Sequence, residues 1–384
     1  MTRLNIRLDS TRRGREAESL TSQLRKCIVG QDEAIEQIVN IYQKHVTGIS
    51  SADRPIGNLL FLGPTGSGKT RMVEATSEAL VGDSHAVIKI DCAEYQHSHE
   101  IAKLIGSPPG YLGHRETHPL LSQEVLNARH TETCKISFVL FDEIEKASDA
   151  LWNLLLGILD KATLTLGDNR RVDFSRTFIF LTSNLGAKEM SDMIAPKLGF
   201  RADGPLQSLS DGRMETKIAN SGVEAARRRF SPEFINRLDR IVVFKSLGDA
   251  ELRKVLDLEL RIFQQRILAA GQSPFLLTCS SEAKDFLLSE GTDVRYGARH
   301  LKRAIERHLV QPLSNLIATN QIRAGDSIRV DYDNQTGSVA FVKDGEDIPH
   351  SVITEHPDAV IAFPAQAQTS QAAANQKGRW RKAS

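Results

Sequence analysis

A chain of 384 residues is longer than one typical domain and points to two or three units. Its 40% hydrophobic and 25% charged content is that of a soluble globular protein, and a net charge of +1 supplies no global field toward nucleic acid or an anionic membrane. Four scattered cysteines, Cys27, Cys92, Cys134 and Cys279, form no C-x-x-C pair, which argues against a zinc site or a disulfide framework and fits reduced thiols in the cytoplasm.

In chain order, residues 1–18 are charged and weakly periodic, with Arg3, Arg7, Arg12, Arg13 and Arg15, and read as a flexible basic arm rather than a signal peptide. No run of about 18 apolar residues is present, so no membrane-spanning helix is expected. Leu20 to His45 reads as helical with an interruption at Val29-Gly30-Gln31-Asp32, where Asp32 is expected to cap the second helix. Ile28 and Val29 either line an adenine pocket or fill the core, and their spacing does not decide.

Leu59 to Leu62 is a short apolar run of the kind expected for a buried parallel strand, and Arg71 to Leu80 is a good helix former. Between them lies Gly63-Pro64-Thr65-Gly66-Ser67-Gly68-Lys69-Thr70, a match to the phosphate-binding P-loop. Its glycines let successive N–H groups turn inward around an anion, and the helix N-terminus adds partial positive charge. Lys69 would reach the β- and γ-phosphates, and the Thr70 hydroxyl would take one Mg²⁺ position.

Ala86 to Asp91 is a second strand candidate, and Gly106-Ser107-Pro108-Pro109-Gly110-Tyr111-Leu112-Gly113 must be a loop, since proline and glycine at this density forbid helix and strand. Ile136 to Phe141 is a third buried strand ending in Asp142-Glu143. Carboxylates at such a tip, downstream of a P-loop, suit Asp142 to hold Mg²⁺ and Glu143 to activate the attacking water. A leucine-rich helix over Ala150–Lys161 precedes a hairpin turning at Gly167-Asp168-Asn169-Arg170. Thr177 to Thr182 is a fourth strand. If it neighbours the third, Asn184 at its tip would bond the γ-phosphate or the water.

After a loop-like stretch over 186–212 and a helix to Arg229, Ser231 and Pro232 cap and open a short helix, and Ile241–Phe244 is a fifth buried strand. From Gly248 the pattern changes. A long amphipathic helix over Asp249–Ala270, strands at 275–278, 327–330 and 339–342, and helices over 281–288 and 298–319, the last expected to break or kink at Pro312, form a small mixed unit. Beyond about residue 365 the chain is Gln, Ala and Ser with a basic end, too poor in apolar residues to order.

Seven ordered motifs, V-G-Q-D at 29–32, the P-loop, G-S-P-P-G-Y-L-G at 106–113, F-D-E-I-E-K-A at 141–147, T-S-N-L-G at 182–186, F-S-P-E-F-I-N-R-L-D at 230–239 and Y-G-A-R-H-L-K-R at 296–303, resemble the Clp-type AAA+ unfoldases, most closely their second ATPase module. The resemblance implies an α/β fold, an AAA+ P-loop NTPase with a five-stranded parallel sheet over 19–247, followed by a small α+β lid domain over 248–345 and a disordered tail over 346–384. It implies ATP and Mg²⁺ as cofactors. Asn184 matches sensor 1, Arg237 an arginine finger acting on the next subunit's nucleotide, and Arg299 sensor 2. Tyr111, with Leu112 beside it, matches the pore loop that grips polypeptide. A cytoplasmic homo-hexamer acting on unfolded or tagged polypeptides follows from the same likeness.

The chain carries one such module and no coiled-coil insert, so partnered disaggregation is not expected of it. Leu198-Gly199-Phe200 is similar to the tripeptide by which protease unfoldases dock a ClpP-like peptidase, and otherwise is a chance match in a loop. The rival readings are an ATP-gated nucleic-acid loader, which the neutral charge disfavours, and a regulatory AAA+ scaffold.

Overall fold

The structure is a computed structural model, and it describes residues 9–107, 118–187, 189–190, 211–269, 274–291 and 298–344. They pack as two compact units, the first holding the residues up to Lys254 together with 298–300, the second holding 255–291 and 301–344.

The first unit is built on a five-stranded sheet, β1 (Gly57–Leu62), β2 (Val87–Asp91), β3 (Ser137–Asp142), β6 (Thr177–Ser183) and β7 (Arg240–Val243), in the order β2-β3-β6-β1-β7. Every pairing in it is parallel. Parallel strands are covered on both faces, which is why they read as unbroken apolar runs. Alternation still sorts the side chains. Leu60, Leu62, Val139, Phe141, Ile179 and Leu181 face one cluster with Leu151, Leu155 and Ile158 of the helix Asp149–Lys161. Leu59, Phe61, Phe138, Leu140, Phe178 and Phe180 face the other, against the helices Arg15–Cys27, Asp32–Val46 and Lys69–Val81. On that second face Phe138, Phe178, Phe180, Phe61 and Phe244 form a ladder with ring centroids 4.9–6.0 Å apart. The expected hairpin is present as β4 (Thr163–Thr165) and β5 (Arg171–Asp173), with Asn169 at φ 66° in its turn.

Three local expectations are corrected. The first helix begins at Arg15 inside the expected arm, because Ala17, Leu20, Thr21 and Leu24 make a buried stripe at helical spacing. Asp32 is not a cap: it is the first helical residue and pairs with Arg25 at 3.3 Å, while Gln31 holds the N-cap position without a side-chain bond to the helix. Near Pro312 the chain stays helical, running through a π segment, Glu306–Val310, into the helix Gln311–Ala318. The Gln311 N–H closes the π turn on the Glu306 carbonyl, and Pro312 falls in the first turn of the segment that follows. Ser231 does cap its helix, accepting from the Phe234 N–H at 3.2 Å with Pro232 in the first turn.

In the second unit β8 (Leu276–Cys279) pairs parallel to β9 (Ser327–Asp333), and β9 pairs antiparallel to β10 (Ser338–Asp344). Helices pack against this sheet around Leu256, Leu287, Leu301, Ile305, Leu309 and Val330. The buried Gln264 amide ties the first strand in, donating to the Phe275 carbonyl at 2.9 Å and accepting from the Leu277 N–H at 2.7 Å. This is the mixed α+β unit read from the sequence.

Candidate functional site

The sheet register assembles the site. Leu62 of β1 lies beside Ser183 of β6, and Phe141 of β3 lies beside Leu181 on the other side of β6. The loop after β1, the acidic tip of β3 and Asn184 after β6 therefore meet at one end of the sheet, with Asn184 between the other two.

The P-loop adopts the backbone its glycines permit. Gly63, at φ 148°, passes so close to Phe244 that a Cβ would sit 2.6 Å from its carbonyl oxygen. Gly68, at φ 99°, is the left-handed N-cap from which the helix Lys69–Val81 starts. The Ser67 hydroxyl, within the P-loop, is buried and has no protein partner, so it has a donor to offer a bound phosphate. Gln31, part of V-G-Q-D but given no role there, stitches the loop. Buried Gln31 donates to the Ser67 carbonyl at 3.2 Å and the Lys245 carbonyl at 3.0 Å, and accepts from the Lys245 N–H at 3.1 Å. The motif does not reveal this role, since its partners are 36 and 214 residues away.

Lys69 is buried. Its ammonium donates to the Gly63 and Pro64 carbonyls at 2.8 and 3.0 Å and to Asn184 Oδ1 at 2.9 Å. Burial pushes its pKa down to about 8; Asp142, Glu145 and Glu143 pull it back up, and Arg299 adds to the depression. The charge is needed to hold a triphosphate, and a bound triphosphate would restore the ordinary lysine value. ATP affinity is therefore expected to fall as pH rises through 8, becoming about tenfold weaker at pH 9 than at pH 7. A fluorescent nucleotide titration across that range checks this, and a flat profile contradicts it.

The acidic tip is held by β6. The Thr182 hydroxyl donates to Asp142 in a short bond and accepts from the Glu143 N–H at 3.2 Å. Glu143 stands at φ 56°, a left-handed conformation that a non-glycine residue adopts at some cost. Its carboxylate accepts from Asn184 Nδ2 at 3.2 Å and pairs with Lys146, while the Asn184 N–H donates to Glu145 Oε1 at 3.1 Å. Thr182 and Lys146 stand in T-S-N-L-G and F-D-E-I-E-K-A but were given no role from sequence; the place of Thr182 at the end of β6, two residues before Asn184, is the signal that could have found it.

Thr70, in the first turn of the P-loop helix, and Asp142 are hard oxygen donors. Among the described residues no cluster of three His, Cys, Asp or Glu side chains could hold a metal alone. Two protein oxygens completed by phosphates and water suit Mg²⁺.

Arg299 belongs to the same compact unit as the P-loop. It lies near enough to act on Lys69, and the adjacent Ala298 N–H donates to the Gly66 carbonyl at 3.3 Å. Ile28 and Val29 part company: Ile28 joins the core of the helical face, and Val29 stays half-buried outside it. Arg237 is not brought to the site. Its carbonyl accepts from Asn58 Nδ2 at 3.1 Å, at the start of β1. From Asn58 to Gly63 the strand runs roughly 16 Å. The Arg237 guanidinium pairs instead with Glu233 at 2.8 Å and Asp160 at 3.6 Å. Tyr111, Leu112 and Leu198-Gly199-Phe200 lie outside the described residues.

No helix among the described residues is long and apolar enough to cross a membrane. Residues 54–241 match the family described as AAA domain (Cdc48 subfamily), and residues 247–330 match the C-terminal, D2-small domain of ClpB protein. The chain is 39% identical over 316 residues to the chaperone protein ClpB of Bdellovibrio bacteriovorus, covering 82% of this chain and 33% of that protein. It is 35% identical over 317 residues to the ClpC ATP-binding subunit of the ATP-dependent Clp protease of Staphylococcus aureus, covering 83% of this chain and 37% of that one. The chain thus spans about a third of the length of these relatives. A closed-state cryo-EM reconstruction of Hsp104 with ATPγS and FITC casein superposes with a TM-score of 0.69 at 28% identity, over 85% of this chain and 52% of that one. Two adjoining family matches, laid over a nucleotide cradle and an acidic strand tip in the expected order, place the conclusion beyond fold alone: the chain belongs to the Clp family of AAA+ ATPases.

Proposed function

We propose that this chain is the motor of a polypeptide unfoldase that works as a ring, a homo-hexamer in which each nucleotide is held by one subunit and completed by the next. The observation that carries the reading is the separation of Arg237 from the P-loop of its own chain, with its carbonyl fixed at the opposite end of β1. An arginine so placed serves catalysis only at a neighbour's nucleotide, and that requires at least two copies.

Within one subunit the P-loop N–H groups, the Ser67 hydroxyl and Lys69 bind the triphosphate. Thr70 and Asp142 would hold Mg²⁺, which would supply Lewis-acid neutralisation of the phosphate charge. Glu143 takes the proton from the attacking water, and Asn184, already bonded to both Glu143 and Lys69, orients the water against the γ-phosphate. Arg299 adds positive charge on the far side of the same site.

Tyr111 and Leu112 are the proposed grip on substrate, and an unfolded or tagged polypeptide is the proposed cargo. The FITC casein in the Hsp104 reconstruction supports a polypeptide for a chain of this likeness. Tyr111→Ala is expected to leave basal ATP hydrolysis intact while unfolding of a tagged fluorescent protein drops to background. Unfolding at the wild-type rate would remove the aromatic from the role.

A further inference from the structure

The turn that carries Glu143 is held from outside the nucleotide site. Trp152 Nε1 donates to the Ile144 carbonyl at 3.1 Å, and Arg229 Nη2 donates to the next carbonyl, that of Glu145, at 3.0 Å. The Arg229 guanidinium lies 4.4 Å from the Trp152 ring centre, so the two clamps brace each other. From there a line of rings leads away from the site. Trp152 meets Phe230 edge-on at 5.5 Å, and Phe230 stacks on Phe234 at 5.3 Å. Both phenylalanines are buried. Phe234 lies in the helix Pro232–Asn236, and its carbonyl accepts from the Arg237 N–H at 3.1 Å.

None of Trp152, Arg229 and Phe230 is needed to hold nucleotide, yet together they tie two distant functional groups into one body. One end is a left-handed residue whose carboxylate is aimed by the turn that follows it. The other is an arginine at the C-cap of a five-residue helix too short to fix its own direction. Packed aromatic contacts of this kind shift together rather than bend, so a change at either end is felt at the other.

We infer that Trp152, Arg229 and Phe230 form a positioning bridge within each subunit, by which the turn bearing Glu143 sets the direction of the Arg237 offered to the neighbouring subunit. The bridge makes a subunit's own nucleotide site a regulator of the next one's chemistry. It rests on the reading of Arg237 as acting in trans.

The test separates the two ideas. Subunits carrying Arg237→Ala are mixed with subunits carrying Glu143→Gln. Each is expected to be inactive alone, and mixed rings regain ATPase at seams pairing an intact base with an intact arginine. Failure of this rescue refutes the trans reading itself. With rescue established, Trp152→Leu or, separately, Arg229→Met is added to the Glu143→Gln subunit only. That subunit scarcely hydrolyses ATP, so with assembly and nucleotide binding unchanged the added change lowers the recovered activity through the arginine it supplies. Ring assembly is followed by light scattering, and nucleotide affinity of the changed subunit by titration. The bridge predicts a loss of recovered activity of roughly ten- to hundredfold for at least one variant that still assembles and binds nucleotide. Recovered activity equal to that of the parent mixture, from variants assembled to the same extent, overturns it.

Discussion

Arg237→Ala is expected to lower ATP turnover by about 10³–10⁵-fold, the range for an arginine that stabilises charge in phosphoryl transfer. The fold should tolerate the change. The contacts that fasten this corner of the sheet go to the Arg237 carbonyl, from Asn58 and Arg54, and survive in alanine. The side chain gives up its pairs with Glu233, which is largely exposed, and with Asp160 at 3.6 Å, interactions of about 0–1 kcal/mol. Nucleotide affinity at the mutated chain's own P-loop should be nearly unchanged, because the guanidinium is not there. Steady-state hydrolysis, measured beside equilibrium ATP binding and ring assembly, decides the matter. Full turnover by an assembled ring of this variant would dismiss the arginine.

Glu143→Gln is expected to hold ATP and scarcely cleave it, with turnover down by about 10²–10⁴-fold, the contribution of a positioned general base. Glutamine keeps the shape of the side chain and an oxygen for the Asn184 amide, and loses the ion pair to Lys146 and the capacity to take a proton. The backbone clamp on this turn, made by Thr182, Trp152 and Arg229, does not involve the carboxylate. A filter-retention assay should show nucleotide remaining as triphosphate on the variant. Hydrolysis at the normal rate would move the base elsewhere.

The strands were legible because a sheet buried on both faces demands uninterrupted apolar runs, and three of the five here, β1, β3 and β6, lead into residues that matter: Gly63, Asp142 and Asn184. Their order in space was not legible, and that order, with β6 between β1 and β3, is what puts Asn184 in reach of both Lys69 and Glu143. Residues that act through distant partners left no local trace. Gln31 looked like part of a helix interruption, and its work is done on Ser67 and Lys245. Trp152 looked like one apolar residue in a leucine-rich helix, while its indole N–H serves the turn after Glu143. Asp32 misled for the opposite reason: the residue type suits a cap, but the chain enters the helix one position earlier and leaves the carboxylate to Arg25.

The position of β1 has a consequence for how the molecule is born. Its two neighbours, β6 at Thr177–Ser183 and β7 at Arg240–Val243, are the fourth and fifth strands of the sheet to leave the ribosome. At about 5–20 residues per second, the interval between Leu62 and Thr177 is roughly 6–23 s. Throughout it, Leu59-Leu60-Phe61-Leu62 has neither of its sheet neighbours to lie against, and the nascent polypeptide must keep this apolar run from other chains until the middle of the sequence has been translated.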